Sequence, residues 1–237
     1  LYDGRRLSLA VDPCAVAATS SSSSSSSSST ATAAAAARRL HSLPDAVWDG
    51  LPCVAALDLS GNDLDFLAVP DTRGARALPP LRSLVLRGNR RFAADAESLV
   101  LLGGCAAALH TLDLSDTAAA RGGGLGALTA LTALRTLSLA RNGLTALPQN
   151  LPKSLTALDV SENDSLLVVD RDAFLPCTAL ADLAVRGLTF RCHILALPAT
   201  LTALDASGAR SQSRSRPLAI DFGGARRLAT LRIRGAH

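Results

Sequence analysis

Methionine is absent from the 237 residues, aromatic residues make up 3% of them, and lysine occurs once, as Lys153. Without methionine the chain has no initiator of its own. Leu1, Tyr2, Asp3, Gly4, Arg5 and Arg6 show no charged-then-apolar leader, so the sequence reads as a fragment of something longer. With so few rings, the core must come from Leu, Ala and Val within a composition that is 48% hydrophobic. Many small layers suit those residues better than one large centre. The longest uncharged apolar stretch, Leu99 to Leu109, is broken by Gly103 and Gly104. It falls well short of the roughly 20 residues that span a bilayer as a helix. No membrane segment is expected.

Catalytic and metal signals fail one by one. Gly122, Gly123, Gly124 and Gly126 are followed by no Gly-Lys-Ser/Thr, which excludes a phosphate-cradling loop and leaves a turn between repeats. Asp221-Phe222-Gly223 matches the metal-binding tripeptide of protein kinases, but no His-Arg-Asp loop or lysine-bearing Gly-rich loop accompanies it. The cysteines, Cys14, Cys53, Cys105, Cys177 and Cys192, are odd in number and lack CxxC or Cys/His metal spacing, so most of them read as buried thiols. His41, His110, His193 and His237 are scattered, and Cys192-His193 would point to opposite sides of a strand. No catalytic group, metal or cofactor is expected.

The formal net charge of +4 is unevenly spread. From residue 206 onward seven Arg face one Asp, so the basic excess belongs to the C-terminal end. The alternating Arg210-Ser211-Gln212-Ser213-Arg214-Ser215-Arg216 lacks stacking aromatics and reads as a solvated loop, which disfavours nucleic acid as a partner. Residues 20–29 are an unbroken serine run followed by an alanine-rich stretch to Ala37, a composition that buries too little apolar surface to fix a backbone.

What the chain has in abundance is a repeat. The pattern LxxLxLxxN appears at Leu134, Leu137, Leu139 and Asn142, and with Val first at Val54, Leu57, Leu59 and Asn62. The second Leu recurs as Leu57, Leu84, Leu112, Leu137, Leu158, Leu183, Leu204 and Leu231, in steps of 27, 28, 25, 21, 25, 21 and 27. Nine residues before these marks stand Trp48, Leu128, Phe174, Leu195 and Phe222, so three of the scarce aromatics share one repeat position.

These residues resemble the leucine-rich repeat family, from Leu40 to the end. Leu43 to Leu51 is similar to the convex segment of receptor-type repeats, and Leu147-Pro148-Gln149-Asn150-Leu151-Pro152 to the shorter 21-residue form. The resemblance implies an α/β solenoid: a horseshoe with a parallel concave sheet, an irregular or short-helical convex side, and Trp48, Phe174 and Phe222 on the convex wall of the core. Residues 1–37 are expected to be a partial N-terminal repeat, with Leu7-Ser8-Leu9 and Asp12 as half a strand motif interrupted by the Ser/Ala tract. Residues 38–237 are expected to be the repeat domain, about eight repeats truncated inside the last one, where Arg234-Gly235-Ala236-His237 provides no polar cap.

The family's buried Asn ladder is kept at Asn62, Asn89, Asn142 and Asn163 but becomes Thr117, Leu188, Ala209 and Ala236, which predicts looser C-terminal layers. Burial of Asn163 would also silence the sequon Asn163-Asp164-Ser165.

Because strand residues alternate sides, the positions flanking the inner leucines face the concave surface. The binding candidates are therefore Asp58, Asp113, Ser138, Asp159 and Asp205 in one column, with Arg87, Ser115, Ser161 and Arg186 in the next. A row of carboxylates about 5 Å apart is expected to attract a basic peptide or loop. The function implied is a recognition module for a protein or peptide, part of a receptor-like or scaffold protein, on the extracellular side in the receptor reading. The alternative is the regulatory or substrate-recognition part of a kinase or ubiquitin ligase whose catalytic domain lies outside this chain.

Overall fold

A computed structural model describes residues 8–11, 40–42, 54–67, 81–93, 107–121, 124–148, 151–163, 169–190, 194–212 and 218–235. The strands are β1 (Ser8–Val11), β2 (Val54–Asp58), β3 (Ser83–Val85), β4 (Thr111–Asp113), β5 (Thr136–Ser138), β6 (Ala157–Asp159), β7 (Asp182–Ala184), β8 (Thr189–Phe190), β9 (Ile194–Ala196), β10 (Ala203–Asp205), β11 (Arg210–Ser211), β12 (Ala219–Asp221) and β13 (Thr230–Arg232). Nine of them form one sheet in the order β1-β2-β3-β4-β5-β6-β7-β10-β13. From β2 onward every pairing in it is parallel, and the register joins Leu57, Leu84, Leu112, Leu137, Leu158, Leu183, Leu204 and Leu231 in one row. The leucine spacing read from the sequence is thus the hydrogen-bond register of the sheet.

Each strand of that row is only three to five residues long, because one inward leucine and its i+2 neighbour are all that a layer contributes. Leu57 with Leu59, Leu112 with Leu114 and Leu158 with Val160 are buried, in a single core that extends from Leu40 to Ala225. A layer of this kind buries its leucines only against its neighbours. In the outermost described layer, Leu231 and Ile233 are each 43% exposed.

Five expectations need adjustment. First, Ser8–Val11 does form a strand, but it runs antiparallel to β2, with Leu9 opposite Leu57, whereas a repeat strand would run parallel. Second, no α-helix occurs among the described residues: the helical part of the return side is limited to 3-10 turns at Ala119–Arg121 and Gly124–Ala130. Two small parallel sheets, β8 with β11 and β9 with β12, line the return side of the later layers instead.

Third, Phe174, Leu128 and Leu195 fill the core wall as expected, but Phe222 is 40% exposed, because the layer it belongs to ends in the open strand β13. Trp48 and the Ser/Ala tract lie outside the described residues.

Fourth, Thr117 does not break the ladder. Its N–H and its hydroxyl both donate to Asn142 Oδ1, at 3.2 and 2.7 Å, and the hydroxyl also reaches the Leu114 carbonyl. Fifth, the layers lacking Asn are closed by other means. Asn163 shows what is missing: its Oδ1 accepts the N–H groups of Asn142 and Leu144, and its amide donates to the Leu139 and Val160 carbonyls. At Leu188 and Ala209 the side chain is apolar and fully buried, and main chain bonds to main chain, with Arg210 N–H donating to Leu188 O at 2.9 Å and Gln212 N–H to Phe190 O at 2.7 Å. There β8 and β11 supply the bonds between layers that Asn supplies elsewhere.

Leu137→Ala is expected to destabilise the protein by about 2–5 kcal/mol, because it opens a cavity against which both adjacent layers no longer pack. Denaturant unfolding of the variant measures it, and an unchanged midpoint would contradict the register.

Candidate functional site

The open face of the sheet, the one expected to be concave, starts from the residues between and just after the inward leucines. Asp58, Asp113, Asp159 and Asp205 all use one carboxylate oxygen in the same way: Oδ1 accepts the N–H two residues ahead, from Ser60, Ser115, Ser161 and Ser207, at 2.8 to 3.1 Å. This is an Asx turn, the local bond that a short acidic side chain makes to its own backbone. It fixes the chain where it leaves the strand. The sequence signal was Asp-Leu-Ser or its equivalent, and reasoning from the solvent face alone missed it.

The acidic column is also sparser than expected. Asp113 is in register with Val85 and Ser138, and Asp159 with Ser138 and Ala184, so carboxylates occupy every second strand. Their spacing is about 10 Å, two strand separations, rather than one. Ser115 and Ser161 prove to be buried and bond between layers: Ser115 Oγ donates to Asp113 Oδ1 and lies 2.6 Å from Ser138 Oγ, while Ser161 Oγ accepts the backbone N–H and Nε of Arg186. Arg186 also reaches Asp159 Oδ2 at 3.4 Å, a partly exposed pair that water screens. Arg87 is exposed.

Immediately after these positions every layer places a residue of positive φ. It is glycine at Gly61, Gly88, Gly187, Gly208 and Gly235, but Asp116 (φ 53°), Arg141 (φ 58°) and Glu162 (φ 57°) in three consecutive layers. The conformation is imposed by the ladder: Asp116, Arg141 and Glu162 donate their N–H groups to the carbonyls of Ala140, Ser161 and Arg186 in the next layer. An L side chain in the left-handed region costs roughly 1–2 kcal/mol. Neither Arg141 nor Glu162 has an ion-pair partner among the described residues, and Asp116 pairs only with the highly exposed Arg90 at 3.1 Å. Among the described residues that one exposed pair is the only ionic contact set against the strain.

These three side chains wall a polar groove of about 490 Å³. Its middle layer is small, with Ser138 and Ala140 as floor and Arg141 at the edge. The layers on either side are acidic, Asp113 and Asp116 in one, Asp159 and Glu162 in the other, while Arg87 and Arg186 close the ends. A shallower depression of about 380 Å³ shares Ser138, Asp159 and Arg186 with the groove and continues past Asp182, Asp205 and Arg232. A larger hollow of about 680 Å³ lies away from the sheet, between the return segments at Leu147 to Ser154 and Ala173 to Cys177. Its only charged lining group is Lys153, so it offers no convergent polar set, and the groove is the better site.

Asp221 is accounted for structurally. Its Oδ1 accepts the Gly223 N–H and its Oδ2 pairs with Arg171 at 3.0 Å. Buried Cys177 has its thiol pushed up by desolvation and stays protonated and unreactive at neutral pH. Among the described residues no group of three or more His, Cys, Asp or Glu converges as a metal site, and no helix is long and apolar enough to cross a membrane. Asn163 of the sequon is fully buried.

No family model matches the sequence. Opticin from Bos taurus is 34% identical over 126 residues, which are 53% of this chain and 36% of opticin. The solved Toll–Spatzle complex from Drosophila contains a chain that superposes with a TM-score of 0.58 at 18% identity, covering 83% of this chain and 29% of that one. The chain is a leucine-rich-repeat-like solenoid. It spans about a third of the length of either relative.

Arg141→Gly and Glu162→Gly should each stabilise the protein by about 0.5–1 kcal/mol, the relieved strain less the extra unfolded-state freedom of glycine. Denaturant midpoints report it, and destabilisation would refute the strain. At Asp221 the expectation concerns pH, since the Gly223 N–H and the Arg171 guanidinium hold its carboxyl below the usual carboxylate range. A depressed carboxylate stabilises the fold above its unfolded pKa, and that contribution disappears as pH falls through the folded value. An NMR titration should therefore find Asp221 below an ordinary Asp, moving upward in Arg171→Ala.

Proposed function

We propose that the chain is a recognition module that holds a protein or peptide ligand in the polar groove across β3 to β7. The observation that carries this reading is the groove itself: seven charged side chains from five successive layers converge on a floor of Ser138 and Ala140, on a sheet whose layers are tied together by main-chain bonds. A surface prepared in this way loses little entropy when a partner settles on it. The fold is shared with a chain of the solved Toll–Spatzle complex, which supports a protein ligand here. Asp58 and Asp205 belong to the same face and extend it on either side. The receptor-type wording of the segments around Trp48 and Phe174 supports an extracellular receptor as the parent molecule.

The residues that support binding here support the fold with a different oxygen, so the two roles separate. Asn keeps an acceptor for the Ser115 and Ser161 N–H groups but removes the charge. Asp113→Asn with Asp159→Asn should change stability by less than about 1 kcal/mol, since the only ion pair removed, to Arg186, is solvent-screened. With peptides selected from a random display library on the native protein as probes, the double variant should bind more weakly, associate more slowly and show a flatter salt dependence. Selected peptides that bind both forms equally at low and moderate salt would sink the reading.

A further inference from the structure

We infer that Asp116, Arg141 and Glu162 are the specificity-determining edge of the groove, and that they read a partner segment in which one acidic side chain stands between two basic ones. The inference rests on the recognition reading above and assigns the chemistry of the ligand. Its starting point is a contrast within the chain: the same backbone corner is glycine in five layers and charged in three, and those three are consecutive and wall the groove. Strain at a corner whose side chain has no ion-pair partner among the described residues, as at Arg141 and Glu162, or only a highly exposed one, as at Asp116, marks a residue kept for something other than the fold.

The order of charge along the edge is negative, positive, negative. The rungs Asp116 N–H to Ala140 O and Arg141 N–H to Ser161 O hold the three corners in successive layers, about 5 Å apart. Arg141 stands between two acids yet pairs with neither, and Glu162 lies over the bare backbone of Gly187, where a Cβ would sit 3.4 Å from its carboxylate. A partner carboxylate would pair with Arg141, and basic groups on either side of it would pair with Asp116 and Glu162. The two acids are about 10 Å apart, a distance that about three residues of extended chain span. Gly88 bounds the edge on one side, where only main chain lies near its Cα, and Gly187 bounds it on the other, beneath the Glu162 carboxylate.

The test uses a random peptide display library panned in parallel on three proteins. One is native, the second carries Asp116→Gly, Arg141→Gly and Glu162→Gly, and the third carries Asp116→Arg, Arg141→Glu and Glu162→Arg. Far-ultraviolet circular dichroism and thermal melting confirm folding, and the glycine form is expected to melt no lower than the native one, because it restores the corner used by the other layers. Native-selected peptides should be enriched in base–acid–base order and should bind the glycine form about tenfold more weakly, the middle of the range that removal of three exposed ion pairs implies. The charge-reversed form should select acid–base–acid peptides. Equal binding to the glycine form, or the same enrichment on all three proteins, overturns the edge assignment. If such peptides still respond to Asp113→Asn with Asp159→Asn, only the edge assignment falls. If they respond to neither set, or if the native protein selects none, the recognition reading falls with it.

Discussion

The corner at the end of each strand is the constraint on which the rest of the molecule depends. A three-residue strand makes too few ladder bonds to hold a layer, so the ladder is extended past it, and extension requires a left-handed residue whose N–H turns toward the next carbonyl. Gly61 to Arg87, Arg141 to Ser161 and Gly208 to Arg234 are the same bond in different layers. The residue after the corner must then turn inward beneath it, and this leaves polar main-chain groups inside the core. Buried and unpaired, each would cost roughly 1–3 kcal/mol.

Two solutions to that inward turn coexist in one chain. Where Asn comes after the corner, one side chain bridges two layers, as Asn89 does by accepting Leu64 N–H while donating to the carbonyls of Leu59 and Leu86. Where Leu188 and Ala209 take that place, the backbone continues straight enough to form β8 and β11, and main-chain groups pair directly with the adjacent layer. The first solution needs a specific side chain; the second needs an extended return strand and no specific side chain. The Asn ladder and the second sheet are therefore alternatives, and the shift from one to the other occurs between Asn163 and Leu188.

The register of the main sheet was legible in the sequence because leucine burial leaves no freedom: each of the eight marked leucines pairs with the next at the same strand position. The corner was legible in principle, since aligning the repeats sets Asp116, Arg141 and Glu162 under five glycines, but hydrophobic periodicity carries no information about φ. The Asx turns of Asp113 and Asp159 escaped because a carboxylate on a solvent face looks the same whether or not it bonds to its own backbone. Phe222 was misplaced for another reason. Its position in the repeat predicts a core wall, but the wall exists only where a further layer covers it, and Leu231 shows that the last described layer is open.

Stability and recognition are thus divided at the level of single atoms. On Asp113 and Asp159, Oδ1 belongs to the turn, while Oδ2 of Asp159 meets Arg186 of the groove, so the carboxylates are oriented by the bond that shapes the strand exit. At the corner the division is reversed: the main chain of Arg141 serves the ladder, while its exposed side chain has no ion-pair partner among the described residues. Because contacts in a solenoid are confined to neighbouring layers, changes in either set stay local. The floor at Ser138 and Ala140 senses what occurs at β4 and β6 directly, and what occurs at β2 or β13 only through the intervening layers. A groove built from five consecutive layers can therefore vary its charge pattern one corner at a time, without disturbing the row of leucines beneath it.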